Sequence, residues 1–206
     1  MKGKLVRDIE GAALIEAALI LPVLLILVFG MADLALYFWQ LNSAHKSVQL
    51  GGRRAIVSDS VAVGAGLTAS ESSTYWNGLP LGQRCAPSAE DSSFCPVFKV
   101  TCNLATGCVC EGAACRFTFS ETRLRPILDA MRATLPRLKA EQIEISYATN
   151  YLGYVGRPVP VPVDVGVKIV NLRYEFLFLG NTLGPSISLA ASAVFPSENM
   201  RTVESE

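Results

Sequence analysis

Charge and histidine are scarce in this chain, and both shortages narrow the functions that it can have. Charged residues make up 17% of the 206 residues, the formal net charge is zero, and His45 is the single histidine. No long run of lysine or arginine forms a basic surface for nucleic acid, so we exclude that class of partner. With no nucleophile elbow, no glycine-rich phosphate loop and no convincing set of metal ligands, we expect no enzyme and no cofactor.

The cysteines include no CxxC pair, which weakens the case for a zinc site. There are six of them, and all lie in a segment rich in serine and glycine: Cys85, Cys95, Cys102, Cys108, Cys110 and Cys115. Four of these thiols are close enough in sequence to hold zinc. Outside the cytoplasm, however, such a cluster usually forms disulfides. We therefore predict disulfides and no metal, and we leave their pairing open because spacing alone does not fix connectivity.

Charge is absent altogether from residues 17–32, and the apolar sequence continues beyond Asp33 to Trp39. A helix needs about 20 residues to cross about 30 Å of hydrocarbon, so residues 12–39 are long enough to span a membrane. The short leader before them is net positive. This charge predicts an amino end in the cytoplasm and the rest of the chain outside it.

Two carboxylates accompany this apolar run, one at its start and one near its outer end. Glu16 stands five residues after Gly11, and Asp33 follows the uncharged stretch. A carboxylate in or beside a membrane-spanning helix is costly, so each needs a partner or a function. For Asp33 two interpretations stay open: it reaches the membrane interface, or it pairs with a basic group on a partner helix.

The hydrophobic pattern predicts an α+β chain with one long helix at its start. We expect this helix over residues 12–57, with Pro22 bending it and Gly51 and Gly52 weakening it near its end. Residues 58–114 show little periodicity and are expected to be mostly loop, ordered by disulfides.

Further elements are predicted after the cysteine region. Apolar residues at helical spacing indicate a second helix over residues 121–138, and alternating residues indicate strands over 143–147, 163–169 with an extension toward Tyr174, and 187–195. Residues 176–185 are ambiguous between a turn of helix and a strand with a loop. We expect an antiparallel sheet of about three strands with the helix against it.

The beginning of the chain resembles one family. Gly11, Ala12, Glu16, the apolar run over residues 17–30 and the sequence Gly51-Gly52-Arg53 together resemble a TadE-like minor pseudopilin of the tight adherence (Flp-type) pilus system. The family has a leader that a prepilin peptidase cuts after a glycine, and a glutamate at the fifth mature position. Gly11, Ala12 and Glu16 match that register. Ala17 departs from the pattern, because the family tends to have an aromatic residue there.

The resemblance implies a domain plan and a location. Residues 1–11 would be the prepilin-type leader, 12–57 the transmembrane and amphipathic helix, and 58–206 a small pilin-like extracytoplasmic α+β domain with a cysteine-rich loop at 85–115. The protein would cross the bacterial inner membrane once, with its amino end cytoplasmic and its carboxyl-terminal domain periplasmic. The resemblance also allows the protein to be incorporated into an extracellular pilus.

The resemblance also implies a function and partners. The function would be pilus biogenesis and surface adhesion, and the partners would be the prepilin peptidase, other pilins and pseudopilins, inner-membrane pilus assembly proteins and membrane lipid. Glu16 would pair with the amino group that cleavage exposes on Ala12, on the same or a neighbouring subunit, because an opposite charge offsets the cost of desolvation.

Two alternatives compete with this interpretation. Gly30-Met31-Ala32 is a small-x-small site at which a signal peptidase could release a periplasmic disulfide-rich binding module that starts at Asp33. An uncleaved single-pass protein with a disulfide-rich domain unrelated to pili is the other. A soluble protein would indicate the first alternative. An uncleaved leader would indicate the second.

Overall fold

The structure is a computed structural model that describes most of the chain. The described residues are 9–64, 66–68, 76, 79–85, 97–111, 116–150, 152–156, 161–180, 184–197 and 200, with the side chains of 9–13 left out. The chain divides into two compact units. The first unit contains Met1–Gln40 and Arg173–Ile187, and the second contains Leu41–Leu172 and Ser188–Glu206.

The first element is the long helix that the sequence predicts. Helix α1 covers Ile9–Ala55, a run of 47 residues with Pro22 inside it. Leucine and alanine, which are strong helix formers, make up much of its first half. Among the described residues it is the one helix that is long and apolar enough to cross a membrane.

The strands form two sheets. A five-stranded sheet has the order β3-β2-β5-β6-β7, and its members are β2 (Lys99–Asn103), β3 (Gly107–Cys110), β5 (Ile143–Thr149), β6 (Val163–Glu175) and β7 (Ser186–Pro196). The registered pairs within it are antiparallel. Two short strands, β1 (Ala62–Val63) and β4 (Thr118–Phe119), form a separate antiparallel pair. The α+β prediction is confirmed, and all three predicted strands are present.

Alternation of buried and partly exposed residues explains why these segments are strands. In β5, Ile143, Ile145 and Tyr147 are buried, while Glu144 and Ser146 between them are only half-buried. In β6, alternate residues from Val163 to Ile169 are buried in the same way. Successive side chains of a strand point to opposite faces, so one face of each strand enters the core.

The cysteine region contains a β-hairpin where the sequence predicted loop. Strands β2 and β3 pair with each other, and β2 also pairs with β5, so the hairpin extends the main sheet. Cys102 faces Cys108 across this hairpin, and the two form a disulfide. Each strand is short and polar residues surround it, so the period-2 pattern is too brief to be recognised in the sequence alone.

The second helix is shorter than predicted. Helix α2 covers Glu121–Arg132 and buries Leu124, Ile127, Leu128 and Met131. The prediction extended it to residue 138, but the backbone N–H groups of Thr134 and Leu135 both bond to the carbonyl of Met131, which closes a tight turn. Leu135 and Leu138 are nevertheless buried, so their helical spacing continues after the helix has ended.

In the second unit, the last part of α1 packs closely on α2. Ala44, Val48 and Ala55 are buried there, and the Ser47 hydroxyl donates a 3.0 Å hydrogen bond to the carbonyl of Met131. A β-carbon on Gly51 would lie 2.6 Å from Cγ of Met131. Gly51 is therefore required for close packing, a role that the sequence analysis missed.

Candidate functional site

The first half of α1 exposes apolar side chains almost continuously. Its exposed large residues include Leu14, Ile15, Leu19, Ile20, Leu21, Val23, Leu24, Leu25, Ile26, Leu27, Val28, Phe29 and Met31. None of the most apolar window of the helix is buried inside the protein. The described part of the chain therefore does not cover this surface, which is compatible with a single-pass membrane anchor.

The predicted processing residues lie at the start of this surface. Gly11 and Ala12 are within α1, and Glu16 follows one helical turn after Ala12. Residues four apart share a helix face and are separated by about 6 Å along the axis. The backbone nitrogen of Ala12 and the side chain of Glu16 are therefore about one helical turn apart.

Glu16 has no partner in the described part of the chain. Its side chain is exposed, and no ion pair or hydrogen bond to it is formed by the residues that the structure describes. A carboxylate surrounded by exposed leucine and isoleucine would be expensive to place in hydrocarbon without a counter-charge. Whatever satisfies Glu16 must come from outside these residues.

Asp33, in the same helix, has the opposite environment. It is completely buried. One of its carboxylate oxygens accepts a hydrogen bond from the backbone N–H of Leu177 at 3.1 Å, and the other accepts from Phe178 at 2.7 Å and Leu179 at 2.8 Å. The Tyr174 hydroxyl donates to the backbone carbonyl of Asp33 at 3.0 Å.

The sequence analysis foresaw neither the burial of Asp33 nor these partners. Three backbone amides of its own chain satisfy the carboxylate, so no basic group from a partner helix is needed. Charge-assisted hydrogen bonds of this kind are among the stronger ones in proteins. The residues that supply them belong to the loop between β6 and β7, which the sequence left ambiguous.

Aromatic rings extend this contact along the helix. Phe29 stacks on Phe178 with ring centroids 4.5 Å apart. Tyr37 lies edge-on to Tyr174 at 5.6 Å and stacks on Phe176 at 6.4 Å. The end of the β6–β7 hairpin thus follows α1 from Tyr37 to Phe29, with Asp33 between them.

Two features of the sequence are consistent with the contact between Asp33 and residues 176–179. A single carboxylate in an uncharged helix needs donors, and residues 176–179 are an apolar segment between a strand and a Gly/Pro-containing loop. Such a segment has backbone N–H groups that need acceptors when it is buried. The sequence did not show that the Asp33 carboxylate accepts from the N–H groups of this segment, because the residues are more than 140 positions apart.

The cysteines form disulfides, as predicted, where the structure describes them. Cys102 is joined to Cys108, and Cys85 and Cys110 are also disulfide-bonded. Cys95 and Cys115 lie outside the described residues, as does the leader up to residue 8. The hairpin disulfide, of which Cys102 is buried and Cys108 half-buried, joins the cysteine region to the main sheet.

Comparison with known families agrees with the resemblance seen in the sequence. The model of the family described as TadE-like protein matches residues 11–53, which begin at the predicted cleavage residue and end with the Gly-Gly-Arg sequence of α1. This match associates the helix with tight adherence pilus systems, and it does not extend over the sheet. No curated protein and no solved structure matches the chain.

Proposed function

We propose that the chain is a minor pseudopilin of a tight adherence (Flp-type) pilus, cut by a prepilin peptidase after Gly11, and that it acts in pilus assembly and surface adhesion rather than in catalysis. The observation that carries this proposal is the position of Glu16. It is an exposed carboxylate within the matched residues, it has no partner in the part of the chain that the structure describes, and it stands at the fifth position after the proposed cut.

Cleavage supplies the partner that Glu16 lacks. A free amino group on Ala12 carries a positive charge near neutral pH. It lies one turn from Glu16 in its own helix and could equally meet Glu16 of a neighbouring subunit. Since an unpaired charge is costly in hydrocarbon, the pair would fix the axial position of one helix against the next.

The remaining features fit a subunit held in the bacterial inner membrane. The exposed apolar half of α1 would cross the bilayer with its start in the cytoplasm, and the sheet with its disulfides would lie in the periplasm. Membrane lipid, the peptidase, other pilins and inner-membrane assembly proteins are then the partners. The exposed apolar helix could also pack into a pilus among similar helices.

The role of Glu16 is tested by charge variants in a host strain that lacks the native gene. We expect Glu16→Ala and Glu16→Gln to reach the membrane in normal amounts, measured by immunoblotting, but to abolish pili counted by electron microscopy. Glu16→Asp, which keeps the charge, should restore part of the piliation. Leu19→Ala is the control for a change in the same exposed surface. Normal piliation in the Glu16→Ala strain would rule out the assembly role.

A further inference from the structure

The tip, which we define as Phe176, Leu177, Phe178 and Leu179 in the connection between β6 and β7, has a surface that the described residues leave uncovered. Phe176 is buried, but Leu177 is 70% exposed and Phe178 is 53% exposed. No charged residue occurs from 176 to 197, and the charges of Arg173 and Glu175 lie just before the tip. Two exposed large apolar side chains in a segment without charge need a covering medium.

The geometry points to membrane lipid as that medium: we infer that the tip is a second membrane-embedded element, inserted beside α1 in the leaflet next to the periplasm. The inference rests on the membrane anchor in the proposed function and is independent of the pilus role. Four observations within the first unit support it.

The first observation is that the exposed apolar surface of the tip joins that of the helix. Phe178 stacks on Phe29, and both rings are partly exposed. Leu25 and Leu34, on neighbouring turns of α1, are exposed as well. Lipid that covers the helix at this level would therefore also cover the tip.

The second observation concerns the backbone of the tip. The N–H group of Phe176 bonds to the carbonyl of Pro185, and those of Leu177, Phe178 and Leu179 bond to Asp33. Four successive N–H groups thus have partners inside the protein. An exposed loop in water has no need of this, whereas in hydrocarbon each unpaired N–H costs several kcal/mol.

The third observation is that the same contact makes Asp33 tolerable in a membrane helix. Its carboxylate is fully buried and accepts three backbone hydrogen bonds. Without the tip, a carboxylate would stand alone in the apolar part of α1. The tip therefore lowers the free-energy cost of placing the Asp33 carboxylate in a membrane, and Asp33 lowers the cost of placing the N–H groups of the tip there.

The fourth observation indicates how deeply the tip would lie in the membrane. Tyr37 and Trp39 mark an aromatic region of α1 of the kind found at membrane interfaces, and Trp39 is 69% exposed. From Tyr37, which contacts Tyr174 and Phe176, to Phe29, which contacts Phe178, the helix rises about 12 Å. Phe178 would then lie well inside the acyl chains, while Tyr174 stays near the headgroups.

The test is fluorescence quenching of full-length protein in phosphatidylcholine vesicles, with and without dibrominated acyl chains. All variants carry Trp39→Phe, so that Trp76 is a constant background. Phe178→Trp and Leu177→Trp place the probe on the tip, and Leu25→Trp places it in the helix. Val109→Trp, at an exposed position of β3, reports the aqueous side. Circular dichroism confirms folding of each variant, and Leu177→Trp leaves the stacked ring of Phe178 intact.

We expect the tip probes to lose emission with brominated lipid as strongly as the Leu25→Trp probe, and to resist aqueous acrylamide. The Val109→Trp probe should show the reverse. Tip probes that acrylamide quenches and bromolipid does not would overturn the inference. Probes that neither reagent quenches would overturn it as well, because protein would then cover the tip. If the Leu25→Trp probe is also insensitive to bromolipid, the membrane anchor itself is wrong.

Discussion

The two compact units of this chain bury their surfaces by different means. In the second unit, aliphatic side chains such as Ile127, Ile145 and Val165 are fully buried against one another. In the first unit, the large apolar side chains of α1 are mostly exposed, and the best buried side chain is a carboxylate, Asp33. The second unit thus has an aliphatic core of its own, whereas the exposed apolar surface of the first unit is compatible with a membrane anchor.

The same difference separates the two carboxylates of α1. Asp33 is satisfied by three backbone amides of its own chain. Glu16 has no partner among the described residues. The hydrogen bonds of Asp33 give it a structural role, whereas the assembly role of Glu16 stays a proposal.

The largest effect on the first unit is expected when Asp33 is removed. Asp33→Ala should destabilise the docking of the tip by about 3 kcal/mol, because buried N–H groups lose a charged acceptor. Hydrogen exchange at the amides of residues 177–179 should then accelerate by about a hundredfold. Glu16→Ala is the matched variant and should leave this exchange unchanged. Equal exchange in the Asp33→Ala and native proteins would refute the structural role of Asp33.

A second prediction concerns packing in the second unit. Gly51→Ala should cost about 2 kcal/mol, because the new methyl group would overlap Met131, which is completely buried. A methyl group on Gly52 would lie even closer to the ring of Phe195, but that ring is only half-buried and can move outward. Both substitutions gain about 1 kcal/mol in helix propensity, so this gain does not separate them. Thermal unfolding in detergent should therefore show the larger loss for Gly51→Ala. The reverse order would contradict the packing described for α1 and α2.

A third prediction uses a buried hydroxyl of the second unit. Tyr147 is fully buried, and its hydroxyl accepts a 2.9 Å hydrogen bond from the N–H of Val61. Tyr147→Phe leaves that N–H unpaired and should cost about 1.5 kcal/mol at neutral pH. Denaturant unfolding of the full chain measures this loss.

The same residue makes stability depend on pH. Burial raises the pKa of Tyr147 above the ordinary value of 10.0, so the folded state favours the neutral phenol. The contribution to stability is complete below pH 10.0 and falls as the pH rises above that value, because only the unfolded state ionises readily. The Tyr147→Phe protein should show a shallower decline in alkaline buffer. Parallel curves for the two proteins would count against the burial of this ring.

The smallest effect is expected at Ser47. Its hydroxyl donates to the carbonyl of Met131, which also accepts the N–H groups of Thr134 and Leu135. Ser47→Ala should therefore cost only about 0.5 kcal/mol, since the carbonyl keeps other donors. A loss as large as that of Gly51→Ala would mean that this contact has been underestimated.

Periodicity in the sequence predicted much of the fold. The continuous apolar run predicted α1, and alternation predicted β5, β6 and β7, because each of these segments is long enough to repeat its pattern several times. The hairpin of β2 and β3 was missed because its strands have five and four residues. The end of α2 was misplaced because Leu135 and Leu138 stay buried beyond the helix.

The candidate site was predictable only in part. Gly11, Ala12 and Glu16 lie within six residues of one another, and their processing register follows from the resemblance to the TadE-like family and stays a prediction. Asp33 depends on amides from a loop far along the chain, and Gly51 depends on the position of Met131. Contacts between distant segments are set by tertiary packing, which a local pattern does not contain.

The most direct test of prepilin-type processing is the amino-terminal sequence and intact mass of the native protein, taken from membrane and soluble fractions. The proposed function predicts a membrane form that begins at Ala12. A membrane form that keeps its leader, or a soluble form that begins at Asp33, would contradict it.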